Sequence, residues 1–277
     1  MPASSGITRY RPDHRGNRLD AWSIEQSGCT TILKIRSSEE TADHIVGALP
    51  RAEVRTPGRE SGWSWLFRMD FRPPDELTDF LRLLEEVLVL RVRRKYHLDG
   101  AAALDFYKIP DTAGTLRDSP TAQLVRAVKY AESTDAQRHQ AERVLCKRLS
   151  RIVREHLWFD KATKIVPVPG HSSEEVAASV RIGTAVARET GREIVEAKSR
   201  TPSRPPAKGM SHAERSSLRW NFTVDEDLEG QTVLLIDDVY QTGRTMEGVA
   251  AAAKHNGAKT VLGLAALRTL SNGSANV

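Results

Sequence analysis

Two adjacent carboxylates and a short loop rich in hydrogen-bond donors stand together near the end of this 277-residue sequence. Asp237 and Asp238 come shortly before a stretch that contains Thr242, Gly243 and Thr245. Ionised carboxylates accept hydrogen bonds from a sugar diol, or from waters bound to Mg²⁺. Gly243 permits a tight bend, and the threonines add hydroxyl donors to the unpaired N–H groups of a helix start, which suits a phosphate monoester. These residue types together predict a sugar-phosphate site.

The residues on either side predict how this site is positioned. Residues 233–236 are four branched apolar residues in a row, which is typical of a strand buried on both faces of a parallel sheet. Beyond the loop, Met246, Val249, Ala250 and Ala253 recur at helical spacing. The acids are therefore expected where the strand surfaces at its carboxyl edge, the edge at which open α/β sheets bind ligands.

Three other nucleotide-binding motifs that place acids or glycines after a strand find no support. A P-loop needs a Gly-x-x-x-x-Gly-Lys-Ser/Thr segment, but the glycine pair Gly243 and Gly248 is followed by Val249. A phosphoacceptor domain would need a further Asp on a later strand, and the sequence contains no Asp after Asp238. No Gly-x-Gly-x-x-Gly follows a predicted strand, so a dinucleotide-binding fold is also disfavoured.

Residues 233–245 resemble the 5-phosphoribosyl-1-pyrophosphate (PRPP) binding motif of type I phosphoribosyltransferases, a hydrophobic strand followed by two acids and Thr-Gly-x-Thr. The resemblance implies that Asp237 and Asp238 are the catalytic residues, hold the ribose diol and bind Mg²⁺ as the cofactor. It also implies that PRPP is the substrate. The residues predicted to hold its 5-phosphate are Gln241, Thr242, Gly243, Arg244 and Thr245.

A second strand–loop–helix unit is predicted upstream, with a strand over 164–169 and a helix over 174–190. Its loop contains Gly170, Ser172 and Ser173, which offer donors at a helix start and so form a second candidate anion site. In type I phosphoribosyltransferases the equivalent loop holds pyrophosphate. A basic, proline-rich stretch over 200–209 matches the position of the flexible loop that closes over the active site in that fold. The residues predicted to contact pyrophosphate are Gly170, His171, Ser172, Lys208 and Arg215, with Arg204 as a further candidate.

Three segments are similar to the ComF family of phosphoribosyltransferases, which is linked to DNA uptake. Residues 124–130 are similar to its Leu-Lys-Tyr helix, 166–169 to its Val-Pro-Val-Pro run, and 210–215 to its Leu-Ser-x-Ala-x-Arg segment. The chain also departs from that family. It lacks the Arg-Gly-Phe-Asn-Gln run after the 164–169 strand and an N-terminal four-cysteine zinc finger, and Ala207 stands where a Gln is expected. We therefore infer similarity to the family, and not membership of its competence branch.

The order of the elements predicts an α/β fold, a mostly parallel sheet flanked by helices of the type I phosphoribosyltransferase kind, with a smaller α+β N-terminal domain. The predicted units are a flexible arm over 1–20, an accessory α+β domain over 21–100, and a phosphoribosyltransferase-like domain over 101–277. His44 is expected at the surface of a helix. The predicted elements are strands over 31–35, 63–71, 164–169, 193–198, 233–236 and 260–267, and helices over 41–49, from 75, over 119–153, over 174–190 and from 245 to 257.

The composition of the sequence indicates which ligands and which cellular location to expect. The net charge of +5 and the pI near 9.3 favour the approach of an anionic ligand and could also support nucleic-acid binding. The apolar runs are too short to span a membrane and the N-terminus lacks the pattern of a signal peptide, so we expect a cytoplasmic protein with no membrane partner. Cys29 and Cys146 predict neither a disulfide framework nor a zinc site. A homodimer is a further expectation.

Two kinds of function are consistent with these patterns. The first is a Mg²⁺-dependent phosphoribosyltransferase that transfers the phosphoribosyl group of PRPP to a nitrogenous acceptor and releases pyrophosphate. The second is a non-catalytic PRPP or nucleotide sensor, acting in nucleic-acid metabolism such as DNA uptake. Direct action on nucleic acid ends is a third alternative, and it requires a salt-dependent affinity for DNA or RNA. The sequence leaves the acceptor open.

Overall fold

A computed structural model describes residues 16–92, 97–112, 114–130, 133–170, 176–200 and 221–269. Six helices are described: α1 (Glu39–Ala48), α2 (Leu77–Glu86), α3 (Pro120–Lys129), α4 (Asp135–Glu155), α5 (Ala178–Thr190) and α6 (Arg244–His255). The strands before α3 are β1 (Gly16–Asn17), β2 (Ala21–Ser27), β3 (Thr30–Arg36), β4 (Glu53–Arg55), β5 (Trp65–Met69), β6 (Leu88–Leu90), β7 (Gly100–Phe106), β8 (Lys108–Pro110) and β9 (Leu116–Asp118). Those after it are β10 (Lys164–Pro167), β11 (Glu193–Ile194), β12 (Ala197–Ser199), β13 (Phe222–Val224), β14 (Thr232–Tyr240) and β15 (Thr260–Arg268).

The central sheet has seven strands in the order β1-β6-β7-β15-β14-β10-β11. The four pairs from β7 to β11 are parallel, and β1 and β6 add an antiparallel edge. Helices connect the parallel strands and cover the sheet, as parallel topology requires. The predicted fold class, a mostly parallel sheet flanked by helices of the phosphoribosyltransferase type, is confirmed, and so is the predicted parallel strand after α6.

Two apolar clusters, one on each face of the central sheet, bury β14. Leu234 and Ile236 belong to the cluster that contains α3, α4 and α5, whereas Val233 and Leu235 belong to the cluster that contains α6. This alternation is the normal consequence of a pleated strand. Tyr240 joins the α6 cluster, although strict alternation would place it with Ile236. The alternation therefore shifts by one residue across Asp237 and Asp238.

A separate four-stranded antiparallel sheet, in the order β2-β3-β5-β4, forms most of the N-terminal region. Its buried residues share one core with α1, α2 and the central sheet. The central sheet also runs across residue 100, because β6 pairs with β7. Residues 16–20 differ from the predicted loose arm, since 16–17 form β1 and Leu19 is fully buried. The division into units over 1–20, 21–100 and 101–277 otherwise stays a prediction.

Several element boundaries differ from those predicted. The helical region over 119–153 is two helices, because α3 ends at Lys129 and α4 starts again with a capping box between Thr134 and Gln137. α5 begins at Ala178, four residues later than predicted. The strand over 193–198 is two short strands, β11 and β12. None of the described helices combines the length and the apolarity needed to cross a membrane.

His44 is buried, contrary to the prediction that it lies at the surface. Only 2% of it is exposed, and its Nδ1 lies 2.9 Å from Nε2 of the fully buried His156, 112 residues away. Nδ1 of His156 accepts the N–H groups of Trp158 and Phe159 at 3.3 and 3.4 Å, so Nε2 carries the proton and donates it to His44. We call these two residues the histidine pair. The helical pattern of 41–49 could not show that a distant residue supplies its partner.

Trp158 fills the space between α1 and the start of β7. A Cβ atom added at Gly47 or at Gly100 would overlap its indole ring, and the ring of His44 meets it edge-on with centroids 5.4 Å apart. The two glycines therefore let a helix, a strand and an aromatic ring approach closely.

Candidate functional site

β14 carries Asp237 and Asp238 to the carboxyl edge of the central sheet. On one side the strand stays paired with β15, since Asp237 lies opposite Ala265 and Tyr240 opposite Arg268. On the other side β10 ends at Pro167, opposite Ile236. Among the described strands, none continues beside β14 on that side from Asp237 onward. The strand predicted over 233–236 continues to Tyr240, so the acids lie within it, at the point where one neighbouring strand has stopped.

The two carboxylates are largely withdrawn from water. Asp237 is 8% exposed and Asp238 is 9% exposed. Oδ1 of Asp237 accepts the backbone N–H of Asp238 at 2.8 Å. Burial, and then the charge of the neighbouring Asp238, raise the pKa of Asp237 well above its ordinary value. Asp237 therefore binds a proton more tightly than an exposed carboxyl group does.

Lys129, the last residue of α3, compensates the charge of the pair. Its Nζ lies 2.9 Å from Oδ2 of Asp238. Burial acts to lower the pKa of Lys129, but the charge of Asp238 and this hydrogen bond outweigh it and raise the pKa above its ordinary value. We call Asp237, Asp238 and Lys129 the acidic cluster. No role was predicted for Lys129, although it lies in the 124–130 segment that resembles the ComF helix.

A loop of only three residues, 241–243, connects β14 to α6. Gly243 is the N-cap of α6 and has a φ of 74°, in the left-handed region that favours glycine. No side chain caps this helix start, and the first N–H groups of an α-helix have no acceptors within the helix. The structure therefore places the residues predicted to bind the 5-phosphate around one helix N-terminus, and their backbone donors suit an anion. These residues are Gln241, Thr242, Gly243, Arg244 and Thr245.

Tyr240 and Arg268 both contact this loop. A Cβ atom added at Gly243 would overlap the hydroxyl of Tyr240, so that phenol packs directly against the N-cap glycine. Arg268 is 2% exposed, and its Cζ lies 5.7 Å from the centroid of the Tyr240 ring. Arg268 was missed from sequence; its one available signal was a cation at the end of an otherwise apolar strand.

The predicted pyrophosphate loop lies between β10 and α5. Gly170 is described, close to the carboxyl end of β10, and the Ser179 hydroxyl of α5 donates to the Val168 carbonyl at 2.6 Å. That hydroxyl is buried and holds the backbone, so it is not directed at a ligand. The predicted contacts His171, Ser172, Arg204, Lys208 and Arg215 lie outside the described residues.

The donor set of the acidic cluster limits how a metal could bind. The described residues contain no group of three His, Cys, Asp or Glu side chains that could hold an ion. Mg²⁺ commonly takes one or two carboxylates from a protein and the remaining ligands from phosphate oxygens and water. Asp237 and Asp238 fit that pattern, provided that a phosphorylated ligand supplies the other oxygens.

One family model covers the elements that form most of this site. Residues 134–269 match the family model described as the phosphoribosyl transferase domain. This match includes β10, β14 and the loop to α6, and it begins after Lys129. No curated protein matches the chain.

Solved structures align with this chain at low identity. A purine phosphoribosyltransferase from Pyrococcus horikoshii is 16% identical, with 47% of this chain and 82% of that chain covered and a TM-score of 0.31. An adenine phosphoribosyltransferase from Saccharomyces cerevisiae is 13% identical, with 59% and 82% covered and a TM-score of 0.36. A phosphoribosylpyrophosphate synthetase from Mycobacterium smegmatis is 20% identical, with 51% and 40% covered and a TM-score of 0.31.

Proposed function

We propose that this protein binds PRPP and transfers its phosphoribosyl group to a nitrogenous acceptor, with release of pyrophosphate. One observation carries the proposal. A pair of buried carboxylates near the carboxyl end of β14 is followed, after four residues, by Gly243, the N-cap of α6. A sugar phosphate needs acceptors for its diol and donors for its phosphate at short range, and this arrangement offers both.

The two halves of the site would bind different parts of PRPP. The N–H groups at the start of α6 and the hydroxyls of Thr242 and Thr245 would donate to the 5-phosphate. Asp238, held by Lys129, would accept from one ribose hydroxyl. The Asp237 carboxylate would accept from the neighbouring ribose hydroxyl.

The proposed transfer is a displacement at C1 of the ribose. The nitrogen lone pair of the acceptor forms the N–C1 bond, the bond between C1 and the pyrophosphate oxygen breaks, and its electron pair leaves with pyrophosphate. The acceptor nitrogen then loses its proton to solvent. Positive charge that develops on the sugar would be stabilised by the nearby Asp238 carboxylate. Mg²⁺, held by Asp237 and Asp238 together with phosphate oxygens, would neutralise charge on the leaving group.

Similarity to ComF-like proteins is part of this proposal, and it rests on the segments over 124–130, 166–169 and 210–215. Of these, 124–129 form most of α3, and 166–169 form the end of β10 and the two residues after it. Lys129 gives the first of them a contact with the site. A cytoplasmic location, a homodimer and nucleic-acid binding stay predictions from the sequence.

A non-catalytic PRPP sensor is the second candidate, and one contact favours it. The ammonium group of Lys129 already occupies an oxygen of Asp238, the acid that transfer would need for stabilising charge on the sugar. A site built only to bind could retain this pair. The missing Arg-Gly-Phe-Asn-Gln run after β10 favours the same alternative, because it removes the family's pyrophosphate contacts.

Incubation of the full chain with labelled PRPP, Mg²⁺ and a mixture of nitrogenous bases distinguishes the two candidates. Steady release of pyrophosphate, with a phosphoribosylated product found by mass spectrometry, is expected for the enzyme. Binding of PRPP in calorimetry without release would identify the sensor. Absence of both binding and release would overturn the sugar-phosphate site itself.

A further inference from the structure

Arg268 contacts the backbone of the loop that begins α6. Its Nη1 lies 2.8 Å from the carbonyl oxygen of Gln241 and 3.3 Å from that of Tyr240, and it also donates to the carbonyl of Thr269. Two N–H groups are therefore shared among three carbonyl oxygens. The side chain is 2% exposed, so these contacts lie away from water, where charge-assisted hydrogen bonds are strongest.

The direction of these carbonyls fixes the direction of the following amides. In a trans peptide the C=O of one residue and the N–H of the next point in opposite directions. The Tyr240 carbonyl is already held by the N–H of Thr269 at 3.1 Å, as part of the pairing between β14 and β15. The Gln241 carbonyl lies beyond that strand pairing, and the hydrogen bond from Arg268 directs it toward the Arg268 side chain. The N–H of Thr242 must then point away from Arg268.

The same arginine also supports the N-cap glycine through Tyr240. The guanidinium lies near the Tyr240 ring, and the phenol hydroxyl packs against Gly243. A flipped Gln241–Thr242 peptide would present a carbonyl oxygen, with its partial negative charge, where the amide now stands. An anion would be repelled by that oxygen, whereas a row of N–H groups attracts it.

We propose that Arg268 is a positioning residue for phosphate binding: by holding the Gln241 carbonyl and the Tyr240 ring, it turns the amides of the β14–α6 loop toward the 5-phosphate. This inference rests on the proposed sugar-phosphate site and adds a residue to it that touches no substrate atom. Its ligand class is phosphate monoesters, and inorganic phosphate is the simplest probe of the phosphate group that they share.

Arg192 provides a matched control, because it makes the same kind of contacts at the opposite edge of the sheet. Its guanidinium donates to the carbonyls of Ala162, Thr190 and Asp160 at 2.9, 3.1 and 3.1 Å. It lies at the start of β11, on the amino edge, far from the loop. An Arg192→Lys variant measures what the loss of a partly buried, carbonyl-binding arginine, here also paired with the Asp160 carboxylate, does to the fold alone.

The test measures binding of inorganic phosphate, ribose 5-phosphate and Mg²⁺–PRPP by calorimetry in the wild type and in Arg268→Met, Arg268→Lys and Arg192→Lys. Arg268→Met is expected to weaken all three ligands about 10- to 100-fold, the usual effect of losing a charge-assisted hydrogen bond. Arg268→Lys keeps the charge and one donor, so it should recover part of the affinity. Arg192→Lys should bind like the wild type.

Steady-state kinetics separates positioning from damage to the fold. A positioning role raises KM for PRPP and leaves kcat nearly unchanged, whereas partial unfolding lowers the active fraction and therefore kcat. If Arg268→Met fails to fold, Arg268→Lys decides, and wild-type affinity for all three ligands in that variant overturns the proposal.

The three ligands also distinguish the positioning role of Arg268 from the proposed function. Binding of inorganic phosphate that depends on Arg268, with no binding of PRPP, would overturn the proposed function and leave the role of Arg268 in place. Normal PRPP turnover with equal affinity in every variant would overturn only the role of Arg268.

Discussion

The acidic cluster and the histidine pair are two buried polar groups of the same molecule, and the free-energy cost of burying them is offset in opposite ways. Burial of an ionised group is costly unless a partner compensates it. The histidine pair stays neutral, packs against Phe80, Phe159 and Trp158, and is joined by a hydrogen bond between its two rings. The acidic cluster keeps a charge, compensates it with Lys129, and stands where β10 has ended. The histidine pair contributes to the fold, whereas the acidic cluster leaves carboxylate oxygens available to accept hydrogen bonds from a ligand.

The double variant Asp237→Asn, Asp238→Asn tests the ligand-binding half of this contrast. It removes the anionic acceptors proposed for the ribose diol, so PRPP binding should weaken by about 3–6 kcal/mol, beyond detection in calorimetry. The free energy of unfolding should stay the same or rise, because the like-charge repulsion is relieved. Glu39→Gln, Glu40→Gln, another adjacent acidic pair, in the first turn of α1, is the control and should bind PRPP normally. Unchanged PRPP affinity in the Asp variant would contradict the proposed site.

The pH dependence of the free energy of unfolding tests the histidine pair. Burial lowers the pKa of His44 to about 3, against an opposing contact with the Ala101 backbone. Burial, and then the charge of His44, lower the pKa of His156 well below 6.5. The unfolded chain takes up these protons below about pH 6.5 and the folded chain does not. Stability is therefore complete above about pH 6.5 and decreases as the pH falls toward 3.

We expect the free energy of unfolding to fall by about 3 kcal/mol between about pH 6.5 and about pH 5, from two protons bound only by the unfolded state. Urea denaturation at a series of pH values measures it. His139→Ala, which removes an exposed histidine of α4, should leave the slope unchanged. A flat profile over this range would show that the histidine pair already accepts a proton in the folded state.

Gly243→Ala tests whether the loop beside the acidic cluster depends on its close packing. Both the left-handed φ and the overlap with the Tyr240 hydroxyl oppose a Cβ atom there, so binding of PRPP should weaken and stability should fall, each by about 1–3 kcal/mol. Gly191→Ala is the matched control, because Gly191 has a φ of 66° and nothing within 4 Å of an added Cβ. It should lose stability but not PRPP affinity. Equal PRPP binding by both variants would show that the loop tolerates displacement.

Lys129→Met should have the smallest effect. It leaves the Asp238 carboxylate without its cation, and we expect a loss of about 1 kcal/mol in the free energy of unfolding, since Lys129 is itself partly exposed. The pair Lys198–Asp225 has the same 2.9 Å separation, but both side chains are more than half exposed. Lys198→Met should therefore change stability hardly at all. If the two variants behave alike in urea denaturation, burial of Asp238 does not require the ammonium group.

The sequence predicted those parts of the molecule that have a local signal. Four apolar residues predicted β14, and the helical spacing after Gly243 predicted α6; both are present. The end of β14 was not predictable, because its length depends on pairing with β15 as far as Arg268. The break between α3 and α4 was missed, since the apolar spacing continues across it while the caps at Tyr130 and Thr134 interrupt the helix.

In the candidate site, too, only the residues that lie close together in sequence could be predicted together. The candidate phosphate loop and the acids lie close together in sequence and were therefore predicted together. Lys129 reaches Asp238 from 109 residues away, and Arg268 reaches the loop from 27 residues away, so no spacing rule connects them. His44 was placed at the surface because its partner, His156, lies 112 residues further along. Long-range pairing of polar groups is set by the packing of whole elements, which a periodic pattern does not contain.

The enclosure of Trp158 makes this molecule suitable for optical measurement. Its indole is held between Gly47 and Gly100, and the neutral ring of His44 meets it edge-on. Any separation of α1 from β7 would admit water to the indole and shift its fluorescence emission to the red. A protonated imidazole nearby would also quench it. In a variant that keeps Trp158 and replaces Trp22, Trp63, Trp65 and Trp220 by Phe, the fluorescence would therefore report both the docking of α1 against β7 and the charge of the histidine pair.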